Sequence, residues 1–91
     1  MGKELKEVLS NNFENMDLKG WSFKGQNLTG ANFAGENLEG ACFIDAILVN
    51  VNFEGANLKN ADFSCANAWS ANFNETNCQN AVFLSANLTE S

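Results

Sequence analysis

The sequence predicts an all-β solenoid, in which the chain coils repeatedly around one continuous core. The first observation is a period: a large apolar residue recurs every five positions, and Phe alternates with a residue that is usually Leu. The second is the pair of residues before each large apolar residue. The position directly before it is mostly Asn or Asp, and the position two before it is mostly Ala. Fixed short periods of this kind are typical of solenoids.

A period of five fits neither a helix nor a flat strand. Five residues rotate a helix by about 500°, so the apolar positions would spiral around every side. In a flat strand, Leu18 and Phe23 would point to opposite faces. The chain must therefore turn in every pentad, with the small and the large residue pointing inward. Gly or Asn two positions after the large residue tolerates the backbone angles of such a corner.

The pattern resembles the pentapeptide repeat family, whose signature is Ala, then Asp or Asn, then Leu or Phe, then two variable residues. Matches include Ala31–Phe33, Ala56–Leu58 and Ala71–Phe73, and the repeats run in register from Asn11 to Glu90. The resemblance implies a right-handed quadrilateral parallel β-helix with four pentads per coil, so that sixteen pentads make about four coils.

With four pentads per coil, residues four pentads apart should stack, like upon like. Two columns of Phe then face each other between two columns that are mostly Leu. Each buried side chain of this size contributes about 1.5–3 kcal/mol. The predicted core is Phe13, Phe23, Phe33, Phe43, Phe53, Phe63, Phe73, Phe83, Leu18, Leu28, Leu38, Leu48, Leu58 and Leu88, with the smaller Ala68 and Cys78 at two Leu positions.

The start of the chain departs from the repeat. Leu5, Val8 and Leu9 have helical spacing, and the end of a solenoid needs a cover for its core. We therefore expect an N-terminal capping helix within residues 1–10 and a β-helix over residues 11–91. The first coil and a half should be distorted, because residues other than Ala occupy four Ala positions: Met16, Trp21, Gln26 and Glu36.

The composition argues against an enzyme. The chain has no His and no Tyr, so it lacks the usual general base at neutral pH and the commonest zinc ligand. Cys78 occupies a core position, and neither Cys42 nor Cys65 is aligned with another Cys for a disulfide. We expect no catalysis, no cofactor, no metal site and no small-molecule substrate, and three free thiols in a reducing compartment.

Charge and hydropathy restrict the partners. The net charge is −6, and an acidic surface repels phosphate backbones, so we expect no direct binding to nucleic acid. No apolar run reaches the ~18 residues of a membrane span. The first ten residues show no apolar region of a signal peptide. These features predict a cytoplasmic protein without a membrane partner.

The outward positions are uneven. Two sides of the predicted coil carry almost only polar residues, whereas the other two carry six apolar ones. A contiguous apolar patch with a polar rim is typical of an interface, although local packing between coils is the alternative. The candidate interaction patch is Ile44, Ile47, Val49, Trp69, Val82 and Leu84.

These features favour a non-catalytic scaffold that presents flat β-faces to an unidentified protein, or to a second copy through the apolar face or the C-terminal end. A repeat module of a larger assembly fits them as well. The resemblance implies one alternative, an acidic DNA mimic that binds DNA gyrase and protects it from fluoroquinolones. Four coils at ~4.8 Å span ~19 Å, over which DNA carries about 11 charges. A net charge of −6 is therefore low for a mimic.

Overall fold

The computed structural model describes residues 17–91. The predicted capping helix of residues 1–10, the first six residues of the predicted β-helix and the core residue Phe13 lie outside the described residues. Within residues 17–91 there is no helix, and the secondary structure consists of isolated parallel β-bridges separated by two-residue turns.

Each pentad has the same five parts. Residues 46–50 illustrate them: a small residue, a bridge residue, a core residue, a first turn residue and a second turn residue, which are Ala46, Ile47, Leu48, Val49 and Asn50. The bridge residue pairs with the bridge residues four pentads away on neighbouring levels, from Ser22↔Cys42 to Asn67↔Asn87. Successive levels are therefore four pentads apart, and four turns per level make a four-sided parallel β-helix.

The corners form where the second turn residue adopts a left-handed conformation. Its φ is +76° at Gly30 and +61° at Asn50, which confirms the corner role predicted for Gly and Asn. The N–H of the following small residue closes the turn, as Ala31 does by donating to the carbonyl of Leu28 at 2.9 Å. Six other residue positions also take positive φ, which the sequence pattern did not predict: Asp45, Cys65, Ser70, Glu75, Ser85 and Glu90.

Backbone hydrogen bonds join each level to the next. The N–H of Phe33 donates to the carbonyl of Asn52 at 2.7 Å, and the N–H of Asn52 donates back to Ala31 at 3.0 Å. The N–H of Gly35 donates to the carbonyl of Glu54 at 2.8 Å. The predicted total of about four coils stays a prediction, because its first residues are outside the described range.

The core consists of stacked rings and aliphatic side chains. Phe23, Phe43, Phe63 and Phe83 stack with nearly parallel rings, their centroids 4.8–5.0 Å apart. Phe33, Phe53 and Phe73 form the second column at 5.1–5.4 Å. The columns meet edge to face at 5.5–6.0 Å, a geometry favourable to aromatic pairs. The five Phe residues from Phe23 to Phe63 are fully buried, as are Leu18, Leu28, Leu38, Leu48, Leu58 and Ala68.

The last level is the least buried part of the described core. Phe73, Cys78 and Phe83 are only partly buried and pack against the core from one side. Leu88, which was predicted to be a core residue, is 40% exposed. The reason is its position: no described residue stacks above it.

The prediction of a distorted first coil and a half is wrong over the described residues. Ser22 and Asn27 form bridges in the regular register. Trp21 occupies an Ala position, yet it is only 5% exposed. Its ring lies 5.9 Å from that of Phe23, so the large side chain is accommodated by packing on the first described Phe. Gln26 and Glu36 are half-buried in the same regular coil.

Candidate interaction surface

The described residues form four sides, which we name after one core residue of each: the Phe33, Leu38, Phe43 and Leu48 sides. The core residues of one side recur every four pentads. On each side the bridge residue and the first turn residue flank the core residue and point outward. All six residues of the predicted patch lie on the consecutive Phe43 and Leu48 sides.

In a pentad with a described level on each side, one backbone N–H is not used by the coil itself. In residues 46–50, the N–H groups of Ala46, Ile47, Leu48 and Asn50 all donate to backbone carbonyls. The N–H of the first turn residue, here Val49, has no backbone acceptor among the described residues. This N–H is therefore the one that an outward side chain can satisfy.

Asn or Asp at the bridge position supplies that acceptor. Asn32 Oδ1 accepts the N–H of Ala34 at 3.0 Å, and Asn72 Oδ1 accepts that of Asn74 at 2.8 Å. The sequence pattern located these residues but did not predict this bond. The same bond, at 2.8–3.2 Å, is made by Asp17, Asn27, Asn32, Asn37, Asn52, Asn57, Asp62, Asn67, Asn72, Asn77 and Asn87.

Asparagine side chains also pair between levels, as amide ladders do. Asn57 Nδ2 donates to Asn37 Oδ1 at 3.3 Å, and Asn87 Nδ2 donates to Asn67 Oδ1 at 3.2 Å. Ile47 interrupts the column that contains Asn27 and Asn67.

Three pentads have no side-chain oxygen at the bridge position, and all three lie on the Phe43 and Leu48 sides. Their bridge residues are Cys42, Ile47 and Val82. Within residues 17–91, the N–H groups of the corresponding first turn residues therefore have no side-chain acceptor. These first turn residues are Ile44, Val49 and Leu84, which all belong to the predicted patch.

The exposed fractions of the patch residues differ. Trp69 is 43% exposed and Ile47 40% exposed, whereas Ile44 and Val49 are half-buried. Trp69 lies one level above Val49, where its carbonyl accepts the N–H of Asn50 at 3.0 Å. Ile44 and Ile47 flank the corner at Asp45. These four apolar residues lie on two neighbouring levels, on either side of the Asp45 corner, and we name them the central patch.

The remaining two patch residues are separated from the central patch by polar groups. Val82 is 45% exposed and Leu84 71% exposed, and we name them the terminal pair. On the Phe43 side, Asp62 lies between Cys42 and Val82, and Ser64 lies between Ile44 and Leu84. The predicted patch is thus two groups of residues.

Asp62 and Ser64 hold each other in place. The Ser64 hydroxyl donates to Asp62 Oδ1 at 2.6 Å, and the Ser64 N–H donates to the same oxygen at 2.9 Å. Hydrogen bonds to the charged form favour it. The Ser64 hydroxyl, followed by the Ser64 N–H, therefore lowers the pKa of the Asp62 carboxyl below its ordinary value of 3.8.

The other predicted features can be located as well. Cys42 and Cys78 are half-buried free thiols, and Cys65 is an exposed one. Residues 17–91 contain no group of three His, Cys, Asp or Glu residues arranged to hold a metal ion. The same part of the chain contains no helix that is long and apolar enough to cross a membrane.

Comparison with protein families gives a match to pentapeptide repeats, in 8 copies over residues 12–43, 37–68 and 61–91. The chain belongs to the pentapeptide repeat family. Pentapeptide repeat proteins are known as right-handed quadrilateral β-helices, in agreement with the four-sided coil and its register of four pentads. Comparison with curated proteins gives no match.

Two solved pentapeptide repeat proteins are similar to this chain. One, from the thylakoid lumen of Arabidopsis thaliana, is 28% identical with a TM-score of 0.75 over 88% of this chain. The other, Rfr23 from the cyanobacterium Cyanothece 51142, is 30% identical with a TM-score of 0.64 over 78% of this chain. The chain spans 57% and 52% of the lengths of these two proteins.

Proposed function

We propose that this pentapeptide repeat chain is a non-catalytic scaffold that binds another protein through the central patch of Ile44, Ile47, Val49 and Trp69. The observation that carries the proposal is an exposed Trp one level above a half-buried Val, on a flat side that also carries an exposed Ile. Trp is prominent among the residues that dominate binding energy at protein interfaces. Burial of the exposed part of such a ring contributes about 2 kcal/mol.

Local packing accounts for only part of this surface. Ile44 and Val49 are half-buried within the coil, so their side chains are partly covered already. Trp69 and Ile47 keep 43% and 40% of their surface exposed, although each lies beside other apolar residues. A partner that covers these two residues would remove the largest remaining apolar area of the central patch from water.

The distribution of charge does not favour DNA mimicry. On the Leu38 side the first turn residues of successive levels are Lys19, Glu39, Lys59 and Gln79, which alternate in sign or are neutral. A DNA mimic needs a continuous row of negative charge at about one per 1.7 Å of length. We therefore propose a protein partner that recognises the apolar patch.

The test uses peptides selected from a random phage-displayed library on the folded wild-type protein. We expect the double variant Trp69→Ser, Val49→Ser to bind the selected peptides at least about tenfold more weakly, because each truncation removes apolar area. Gln79→Ser, a first turn residue on the opposite Leu38 side, is the matched control and should bind like wild type. Circular dichroism and urea unfolding establish that both variants are folded.

Two results would refute the proposal. One is equal peptide binding by the double variant and the wild type. The other is a library that yields no peptide dependent on the central patch. Light scattering on the same samples measures whether the double variant changes self-association, which distinguishes a second copy from a different protein as the partner.

A further inference from the structure

The three pentads without a side-chain acceptor share a second feature, which does not follow from the absence of the acceptor. Their first turn residues are all aliphatic: Ile44, Val49 and Leu84. In the eleven described pentads with Asn or Asp at the bridge position, the first turn residue is never Ile, Val or Leu. The coil therefore combines an outward N–H donor with an apolar side chain at the same residue, and only on the Phe43 and Leu48 sides of residues 17–91.

Two of these three residues belong to the central patch. Ile44 and Val49 lie on consecutive sides, with the exposed corner residue Asp45 between them. A side-chain acceptor at this position contributes about 0.5–1.5 kcal/mol to stability. Cys42 and Ile47 supply no such acceptor, so both pentads lack this contribution. The N–H groups of Ile44 and Val49 therefore stay available to an acceptor from another molecule.

We infer that the central patch binds an extended, basic segment of another protein, whose main-chain carbonyl oxygens accept hydrogen bonds from the N–H groups of Ile44 and Val49. The inference rests on the proposed function, because it concerns the same patch. An extended segment is required because the main-chain carbonyls of a helix are already bonded within the helix. Apolar side chains of the segment would lie against Ile47 and Trp69.

The charges around the central patch indicate that the bound segment is basic. The chain carries 11 acidic residues and 5 lysines. Asp45 lies at the corner between the two donors, and Asp62 lies one level above Cys42. Lys24, one level below Ile44, is the cation in this part of the described surface. A basic segment is therefore attracted to the patch and its rim.

A second copy of the chain fits this surface poorly. If the central patch packed on itself, donors would face donors at Ile44 and Val49. A second copy would also bring the same net charge of −6 towards an acidic rim. Like charges at an interface disfavour association. A different, basic protein supplies both the acceptors and the opposite charge.

The experiment introduces a side-chain acceptor at residue 42 without changing any residue of the central patch. In Cys42→Asn, the new Oδ1 should accept the N–H of Ile44, as Asn32 Oδ1 accepts that of Ala34. We expect the library-selected peptides to be rich in Lys or Arg and to bind Cys42→Asn about tenfold more weakly, the effect of one lost hydrogen bond. Cys42→Ala removes the same thiol without adding an acceptor and should bind like wild type.

Two further measurements make the outcome decisive. Val82→Asn restores an acceptor for Leu84, outside the central patch, and should leave peptide binding unchanged. In NMR spectra of the wild type, the bound peptide should shift the amide protons of Ile44 and Val49 downfield and slow their exchange with solvent.

Equal binding by Cys42→Asn and Cys42→Ala, or unshifted Ile44 and Val49 amides, would overturn the inference. If binding is nevertheless lost in the Trp69 and Val49 double variant, the proposed function still holds. If the double variant binds fully, both fail.

Discussion

Asp62 shows how one bridge residue combines a structural role with a titratable charge. Its Oδ1 accepts both the hydroxyl and the N–H of Ser64. The asparagines at other bridge positions accept the same N–H bond without carrying charge. Since both bonds favour the ionised carboxylate, the Asp62 pKa is lower in the folded chain than its ordinary value of 3.8.

The lowered pKa makes the contribution of Asp62 dependent on pH. The ionised carboxylate should stabilise the fold fully above about pH 5, and this contribution should be lost as the pH falls through about 4 towards the folded-state pKa. Asp62→Asn keeps an acceptor oxygen but does not titrate. We therefore expect the stability of the wild type relative to Asp62→Asn to decrease as the solution is acidified.

Urea unfolding of both proteins between neutral and acidic pH measures this difference, and the other carboxyl groups cancel because both proteins contain them. A difference that stays constant, or that grows in favour of the wild type on acidification, would contradict the role of the Ser64 bonds.

At the scale of the repeating element, one level of the coil is the unit of packing. Phe43 has a parallel neighbour on both sides, at 5.0 Å from Phe23 and 4.8 Å from Phe63. Phe83, in the same column, has one such neighbour, Phe63 at 4.9 Å. The same residue type at the same position therefore packs on two faces inside the column and on one face at its last level.

This difference predicts unequal costs for the same substitution. Phe43→Ala should lower the free energy of unfolding by about 3–5 kcal/mol, the usual cost of removing a buried Phe side chain. Phe83→Ala should cost about half as much, because Phe83 is only partly buried. Urea unfolding followed by circular dichroism compares the two. Equal costs would indicate that the upper face of Phe83 is covered in solution.

The repeating element was predictable because one physical constraint recurs along the chain. A column of like residues four pentads apart specifies the coil, and Gly or Asn at the second turn position specifies its corners. The exceptions depend on what lies above or below. Trp21 is buried beside Phe23, and Leu88 is exposed at the last level. Neither result can be read from the pentad alone.

The candidate surface was predictable only in part, for a similar reason. Pentad register placed six apolar residues on two sides, and the structure has them there. The same register places Asp62 and Ser64 between the apolar residues of the Phe43 side, but it does not reveal that the two are hydrogen-bonded to each other. The hydrogen bond from the first turn N–H to a bridge Asn was missed, because a periodic pattern specifies which residue points outward and not which backbone donor it meets.

For the whole molecule, stability depends on contacts between neighbouring levels, as in other solenoids. Bridge residues of the last level donate downward: the N–H of Asn72 bonds the carbonyl of Val51, and that of Val82 bonds Ala61, both at 2.9 Å. The N–H groups of core residues instead donate to carbonyls of the level above. The N–H groups of Phe73 and Phe83 consequently have no backbone acceptor among the described residues.

This polarity predicts an alternating pattern of amide exchange at the last level. For a chain of residues 1–91, we expect the amides of Asn72 and Val82 to be protected, and those of Phe73 and Phe83 to exchange with opening free energies near zero. The Phe43 amide, which donates to Asp62 at 2.7 Å, is the internal control and should be protected. Hydrogen exchange measured by NMR resolves all five amides.

Protection of Phe73 and Phe83 as strong as that of Phe43 would contradict the prediction. If that protection weakened on dilution, a second copy would be covering the C-terminal end, because only association between chains depends on concentration.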